Sequence, residues 1–188
     1  MGLKIIALTG PKGSGKDTVA RMIAEQYDDV HTIAFADPIK EVIQDLFDLD
    51  KSNNNQYDQF KRTTLKYVLP GGAEKSVSAR HVVREIGMLM RRYDDKQFTG
   101  YVVNNIRYEP LRIWVVTDLR FDNEYMTLKG LGAKIINITR PTYEYDGHIT
   151  ERGFNDSLVD FQLVNDGNLE DLNKQASSIV MNIMKEWK

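Results

Sequence analysis

The sequence predicts an α/β fold: a three-layer sandwich with a five-stranded, mostly parallel sheet and a helical, substrate-binding insertion. Three observations carry this. Short β-rich apolar runs alternate with stretches whose apolar residues recur at three- and four-residue spacing. That alternation places a parallel sheet between layers of helices. A block at about 50–108 has no strand signal and so stands apart from the sheet. The first apolar run also ends in a glycine-rich loop followed directly by a helical pattern.

Taken in order, LKIIALT at residues 3–9 is the first strand, and the helix after it repeats Val19, Met22, Ile23 and Tyr27. VHTIAFA at 30–36 is the second strand. Pro38, acceptable only in a first helical turn, opens a helix to about Phe47 that carries Ile39, Val42, Ile43 and Leu46 on one face. The polar stretch DKSNNNQYD at 50–58 reads as a loop, and a less regular helical stretch runs to the break at Pro70-Gly71-Gly72. Ser78 is placed to cap a helix over about 79–92. RIWVVT at 112–117 is the third strand, followed by a helix at about 122–130. AKIINIT is the fourth strand and ends at Arg140-Pro141. Residues 141–158 read as a lid-like loop, 160–164 as a fifth strand, and about 168–186 as the closing helix.

Length and composition narrow the function. At 188 residues the chain fits one domain with an insertion. Lys and Arg number 25 against 27 Asp and Glu, so there is no basic excess of the kind a dedicated nucleic-acid binder carries. There is no cysteine, which excludes disulfides, thiol nucleophiles and thiolate metal sites. No apolar run reaches the length of a signal peptide or a membrane span. A soluble, cytoplasmic protein with small-molecule partners is the expectation.

Gly10-Pro11-Lys12-Gly13-Ser14-Gly15-Lys16 matches the G-x-x-x-x-G-K phosphate loop, between a strand and a helix as the motif requires. The three-layer sandwich is then of the P-loop NTPase kind. Glycines let backbone N–H groups converge on phosphate oxygens, and the helix behind presents its positive end. Lys16 supplies a mobile cation for the β- and γ-phosphates of ATP. Lys12, Gly13, Ser14, Gly15 and Thr18 complete the expected ATP contacts. The residue after Lys16 is Asp17 where Ser or Thr is usual. A carboxylate beside a triphosphate is repulsive unless a cation or proton intervenes. Asp17 therefore either helps to hold Mg²⁺, directly or through water, or acts as a base. The plain alternative is an acid complementing the helix dipole.

Further candidates lie where strands end, because ligands of open parallel sheets collect along the carboxyl edge. Asp118, after the third strand, is placed to anchor Mg²⁺ through water and to face the substrate. Arg120, two residues on, is placed to bridge transferring phosphates. Asp37 and Lys40 follow the second strand. Arg140 ends the fourth, and Asn165 and Gly167 follow the fifth, where a loop backbone could read a purine. Arg80, Arg84 and Arg91 share one face of the helix at 79–92 and suit anion recognition, with Arg62 and Lys66 weaker candidates of the same kind. His148 and Glu151 belong to the lid-like loop, and the three histidines show no metal-ligand spacing. For each of these the competing reading is a cap, a turn or a solvated ion pair.

GPKGSGKDT, FADPIK, VVTDLRFDNE, the ITRP strand end, HITERG and LVNDGNLEDL stand in an order that resembles the bacteriophage-type deoxynucleoside monophosphate kinases. The likeness runs from residue 5 to about 172, with SGKDT and DLRFDNE its most specific parts. It implies transfer of the ATP γ-phosphate, with Mg²⁺, to a deoxynucleoside 5′-monophosphate, in the host cytoplasm if the protein comes from a phage. It is compatible with a homodimer. On this likeness Lys12 and Gly13 to Thr18 form the phosphate loop, Arg80 lies at the monophosphate site, and Asp118 and Arg120 form the D-x-R element. Two departures bear on selectivity. VVREIGMLMRR stands where the family often has a Gln and a Gly-Thr pair, and Gly13 replaces a basic residue of some relatives.

Two other classes remain open on sequence. A small-molecule kinase of the dephospho-coenzyme A or phosphomevalonate type shares the phosphate loop, but a hydroxyl acceptor would give Asp17 or Asp118 a proton-transfer role. A non-kinase nucleotide switch would be expected to carry a guanine-specific N-K-x-D box. The chain has only Asn173-Lys174-Gln175-Ala176.

Overall fold

The computed structural model describes residues 2–141 and 159–187. Most of the lid-like loop expected at 141–158, with His148 and Glu151, lies outside the described residues.

The described elements are β1 (Lys4–Thr9), α1 (Lys16–Gln26), β2 (Val30–Ile33), α2 (Asp37–Leu46), α3 (Asn54–Phe60), β3 (Thr64–Val68), β4 (Glu74–Ser78), α4 (Ala79–Tyr93), α5 (Gln97–Tyr108), β5 (Ile113–Val116), α6 (Asp122–Gly130), β6 (Lys134–Thr139), β7 (Phe161–Val164) and α7 (Leu169–Glu186). They form two compact units, Met1–Phe35 with Thr99–Lys188, and Ala36–Phe98.

The first unit holds a five-stranded sheet in the order β2-β5-β1-β6-β7, with every pair parallel. Parallel strands buried on both faces read as unbroken apolar runs. Ile5, Ile6, Ala7 and Leu8 of β1 are all fully buried, as are Val115 and Val116 of β5. Because side chains alternate, Ile6 and Leu8 point to one face with Val115, Ile136, Ile138 and Leu163. There they meet Val19 and Ile23 of α1 and Leu172, Ala176, Val180 and Ile183 of α7. Ile5 and Ala7 need a cover on the other face. Val102 and Ile106 of α5 and Tyr125 and Leu128 of α6 are also buried in this unit. Because all five strands run the same way, their carboxyl ends share one edge. Backbone bonds tie that edge together: Thr117 to Ile33 (3.0 Å), Leu119 to Leu8 (3.2 Å) and Asn165 to Thr139 (2.8 Å).

The second unit corrects the expectation of a block without strands. Thr64–Val68 and Glu74–Ser78 pair as an antiparallel hairpin, with Leu65 opposite Val77. The Pro-Gly-Gly break is its turn. Gly72 N–H donates to the Leu69 carbonyl at 3.0 Å, with Pro70 at the second position and Gly71 at the third, φ 104°. Proline then glycine with positive φ is the type II signature. The polar stretch read as a loop also hides α3, capped by Asn53 and holding Tyr57 and Phe60 inward. Helix α4 matches its expected span, and Ser78 Oγ accepts from the His81 N–H at 3.2 Å. The compact unit runs from Ala36 to Phe98, and within it α2 packs against α4.

Candidate active site

The site in the first unit is built where β1 stops. After Thr9 the chain turns through the glycine-rich loop into α1, whose N-cap is Gly15 with φ 111°. Lys16, the first helical residue, is only 7% exposed despite its charge. Its ammonium donates to the carbonyls of Gly10 (2.8 Å) and Pro11 (2.7 Å), so the loop's own backbone satisfies it. A phosphate is a stronger acceptor than a carbonyl and draws the same donors. The Ser14 hydroxyl is fully buried and makes no hydrogen bond among the described residues.

A pocket of about 400 Å³ opens over this loop, a size in the range of ligand sites. It gathers Gly13, Gly15, Lys16, Asp17 and Thr18 from the loop and α1, Arg140 from the end of β6, and Asn165 and Gly167 from the end of β7. These residues come from stretches more than a hundred positions apart, united by the shared carboxyl edge. Two expected members stand otherwise: Lys12 is exposed and Ser14 is buried within the loop, and neither lines the pocket. The pocket also takes in Asn168, Leu169 and Leu172, which sequence reading did not single out. Leu169 is 65% exposed at the start of α7, an apolar surface beside a polar cradle. The 165–168 turn is held by a capping box. Asn168 Oδ1 accepts from Glu170 and Asp171 N–H groups, and Asp171 Oδ2 accepts from the Asn168 N–H.

Asp118 and Arg120 follow β5 on the same edge but do not line this pocket. One Asp118 carboxylate oxygen accepts the Phe35 N–H at 2.7 Å, pinning the exit of β2. Glu124, fully buried, accepts the backbone N–H groups of Arg120 (2.9 Å) and Phe121 (3.1 Å), which fixes the turn that carries Arg120.

In the second unit, three of the expected substrate residues surround a side chain that sequence reading missed. Tyr57 is 8% exposed, and Lys40 and Lys61 place their ammonium groups 5.7 and 4.6 Å from its ring centre. Burial pushes its phenol up to about 12. The carboxylates of Asp58 and Asp37 add to that, and the Arg80 guanidinium opposes it. Asp37, Lys40 and Arg80 are thus electrostatic neighbours of one hydroxyl. Asp37 also lies in the first turn of α2, where an acid complements the helix dipole, and Lys40 donates to Asn54 Oδ1. Arg84 is half-buried on α4. Arg91 does not join an open basic face, because its guanidinium stacks 4.4 Å from the Phe98 ring centre.

Among the described residues no cluster of three or more carboxylate, imidazole or thiol side chains could hold a metal ion by itself. The oxygen donors that line the pocket, Asp17 and Thr18, are of the hard kind that a cation arriving with phosphate and water ligands accepts. No described helix is long and apolar enough to cross a membrane.

A model of the family described as deoxynucleotide monophosphate kinase matches residues 4–68 and 85–176, most of the chain. The chain belongs to that family. It is a kinase, a phosphotransferase of nucleotide metabolism. The kinase is 29% identical, over 95% of its length and 96% of the relative's, to a protein of Acanthamoeba polyphaga mimivirus provisionally named a deoxynucleotide monophosphate kinase. Two solved structures share its fold. TT1252 from Thermus thermophilus gives a TM-score of 0.54 at 16% identity over 97% of this chain and 98% of that one. The dephospho-CoA kinase from Campylobacter jejuni gives 0.54 at 16% over 98% of both chains. At that identity the likeness speaks for the fold alone. The family match leaves out residues 69–84, the stretch that holds β4, Arg80 and Arg84.

Proposed function

We propose that this kinase transfers the γ-phosphoryl group of ATP to a phosphate oxygen of a deoxynucleoside 5′-monophosphate, with Mg²⁺. The observation that carries this reading is the pocket over the phosphate loop, where Lys16, Asp17, Thr18, Arg140 and Asn165 meet on one edge of a parallel sheet.

The acceptor oxygen forms the new P–O bond while the bond between the γ-phosphorus and its bridging oxygen breaks and ADP departs. A phosphate monoester has its second pKa near 6, so at neutral pH the acceptor is already largely an anion and needs no base. The work left to the protein is positioning and charge neutralisation. Loop N–H groups from Gly13 to Thr18 take the ATP phosphates, with Lys12 at the loop's exposed side. Lys16 leaves the Gly10 and Pro11 carbonyls for the β- and γ-oxygens. Arg140, Asn165 and Gly167 stand on the nucleotide side of the pocket. Mg²⁺, when bound, screens the phosphate charge, and Asp17 and Asp118 are the residues that would hold it, through water. Asp37, Lys40, Arg80, Arg84, Asp118 and Arg120, with His148 and Glu151, serve the acceptor, and Arg120 neutralises charge on the transferring group.

The test is a panel of deoxynucleoside and ribonucleoside monophosphates, each with ATP and Mg²⁺, in which ADP and nucleoside diphosphate are quantified together. Equal amounts of both with at least one deoxynucleotide support the reading. ATP binding without phosphorylation of any monophosphate rejects it and directs attention to hydroxyl acceptors, with Asp17 as the base.

A further inference from the structure

Asn165 stands where a loop could read the nucleotide base, yet its side chain is engaged elsewhere. Asn165 Nδ2 donates to the Ser14 carbonyl at 2.9 Å, joining two positions 151 residues apart. The amide end that faces the loop is fixed by this chemistry, since only the NH₂ group can donate to a carbonyl. Its backbone is equally held, through the 2.8 Å bond from its N–H to the Thr139 carbonyl and the capping box behind it. The fit is close: a β-carbon at Gly15 would stand 2.8 Å from Asn165 Nδ2.

A trans peptide points its C=O and the following N–H in opposite directions. Anchoring the Ser14 carbonyl therefore turns the Gly15 N–H away from Asn165. Gly15 lines the pocket, and its N–H makes no hydrogen bond among the described residues. We propose that Asn165 is a positioning residue for the phosphate cradle and not a reader of the base. It fixes the Ser14–Gly15 peptide so that the Gly15 N–H is presented to a polyphosphate. This inference rests on the kinase reading only in requiring that the loop bind polyphosphate.

The experiment uses the full-length chain with Asn165→Leu, close in shape but without a donor, and Asn165→Ala, which also leaves the net charge unchanged. Binding of inorganic tripolyphosphate, ATP and GTP is measured by calorimetry, followed by steady-state kinetics. One neutral hydrogen bond sets the scale, so tripolyphosphate and ATP should each weaken by about five- to tenfold. The ATP-to-GTP preference and the acceptor KM should stay at wild-type values. A general structural defect would lower the melting temperature without this parallel, selective loss. Unchanged tripolyphosphate binding overturns the inference, and a shifted ATP-to-GTP preference would then assign Asn165 to the base. Should Asn165→Leu fail to fold, Asn165→Ala carries the same expectation. A wild-type protein that binds neither tripolyphosphate nor ATP overturns the polyphosphate reading of the loop itself, a result separate from an Asn165 variant that behaves as wild type.

Discussion

Gly10→Ala probes the joint between sheet and phosphate loop. A β-carbon at residue 10 would lie 2.1 Å from the Ile138 carbonyl oxygen and 3.0 Å from its carbon. The obstacle is the backbone of β6, itself paired to β1 through Leu8 opposite Ile136 and Thr9 opposite Asn137, so it cannot swing aside as a side chain would. To reach even 3.0 Å the two backbones must part by about 0.9 Å, the difference between 3.0 and 2.1. Gly10 also has φ 132°, where an L side chain is strained. Overpacking costs about 1–3 kcal/mol and the backbone strain about 1–3 kcal/mol, so the substitution should cost about 2–6 kcal/mol. At about 2–4 °C per kcal/mol for a chain of this size, the melting temperature should fall by roughly 10 °C. The assay is a thermal unfolding scan of both proteins at equal concentration, with ATP binding measured well below the transition. Loss of ATP affinity should accompany the lower transition, because the relief moves the loop. A variant that melts within about 2 °C of wild type and binds ATP equally would refute this geometry of the β1–loop–β6 junction.

Lys16→Ala should lower kcat by at least 10²–10³-fold in a coupled ADP-release assay, the scale of losing one group that stabilises transition-state charge; near-normal turnover would remove Lys16 from the mechanism. Arg80→Ala should raise the acceptor KM about tenfold or more while leaving the KM for ATP near wild type, as expected for one charge-assisted contact to the acceptor phosphate. Tyr57 titrates near 12 in the folded chain against 10.0 when free. Between those values the unfolded chain has lost the phenolic proton and the native chain keeps it, so stability should fall as pH rises from about 10 towards 12. Urea midpoints at pH 9 and pH 11 should show a smaller fall for Tyr57→Phe than for wild type, and equal falls would contradict the burial of that hydroxyl.

The core of the fold was legible because its signals are local. LKIIALT followed by GPKGSGK declares strand, loop and helix within twenty residues, and Ser78 before Val82, Val83 and Ile86 declares a capped amphipathic helix. The hairpin was not legible. TLKYV and EKSVS are exposed on most of both faces, so burial imposes no clear alternation, and Pro-Gly-Gly alone marks a break without saying what it joins. Helix α3 buries only Tyr57 and Phe60, too few for a stripe to emerge from NNQYDQF. Several of the pocket's members could be named because strand ends converge by topology, which accounts for Arg140 and Asn165. Their partners could not. That Asp118 holds the Phe35 N–H, or Asn165 the Ser14 carbonyl, depends on contacts across 83 and 151 positions that leave no trace in spacing. Leu169 carries no signal in the sequence, because one exposed leucine at a helix start looks like any other.

In the proposed reaction the kinase phosphorylates a phosphate oxygen and not a hydroxyl. The most direct test is a single reaction containing ATP, Mg²⁺, a mixture of deoxynucleoside monophosphates and dephospho-coenzyme A, followed by ³¹P NMR. New signals coupled through a P–O–P bridge are expected on deoxynucleoside diphosphates, matched by ADP, with dephospho-coenzyme A untouched. A new phosphomonoester signal on dephospho-coenzyme A, with the monophosphates unchanged, would contradict it.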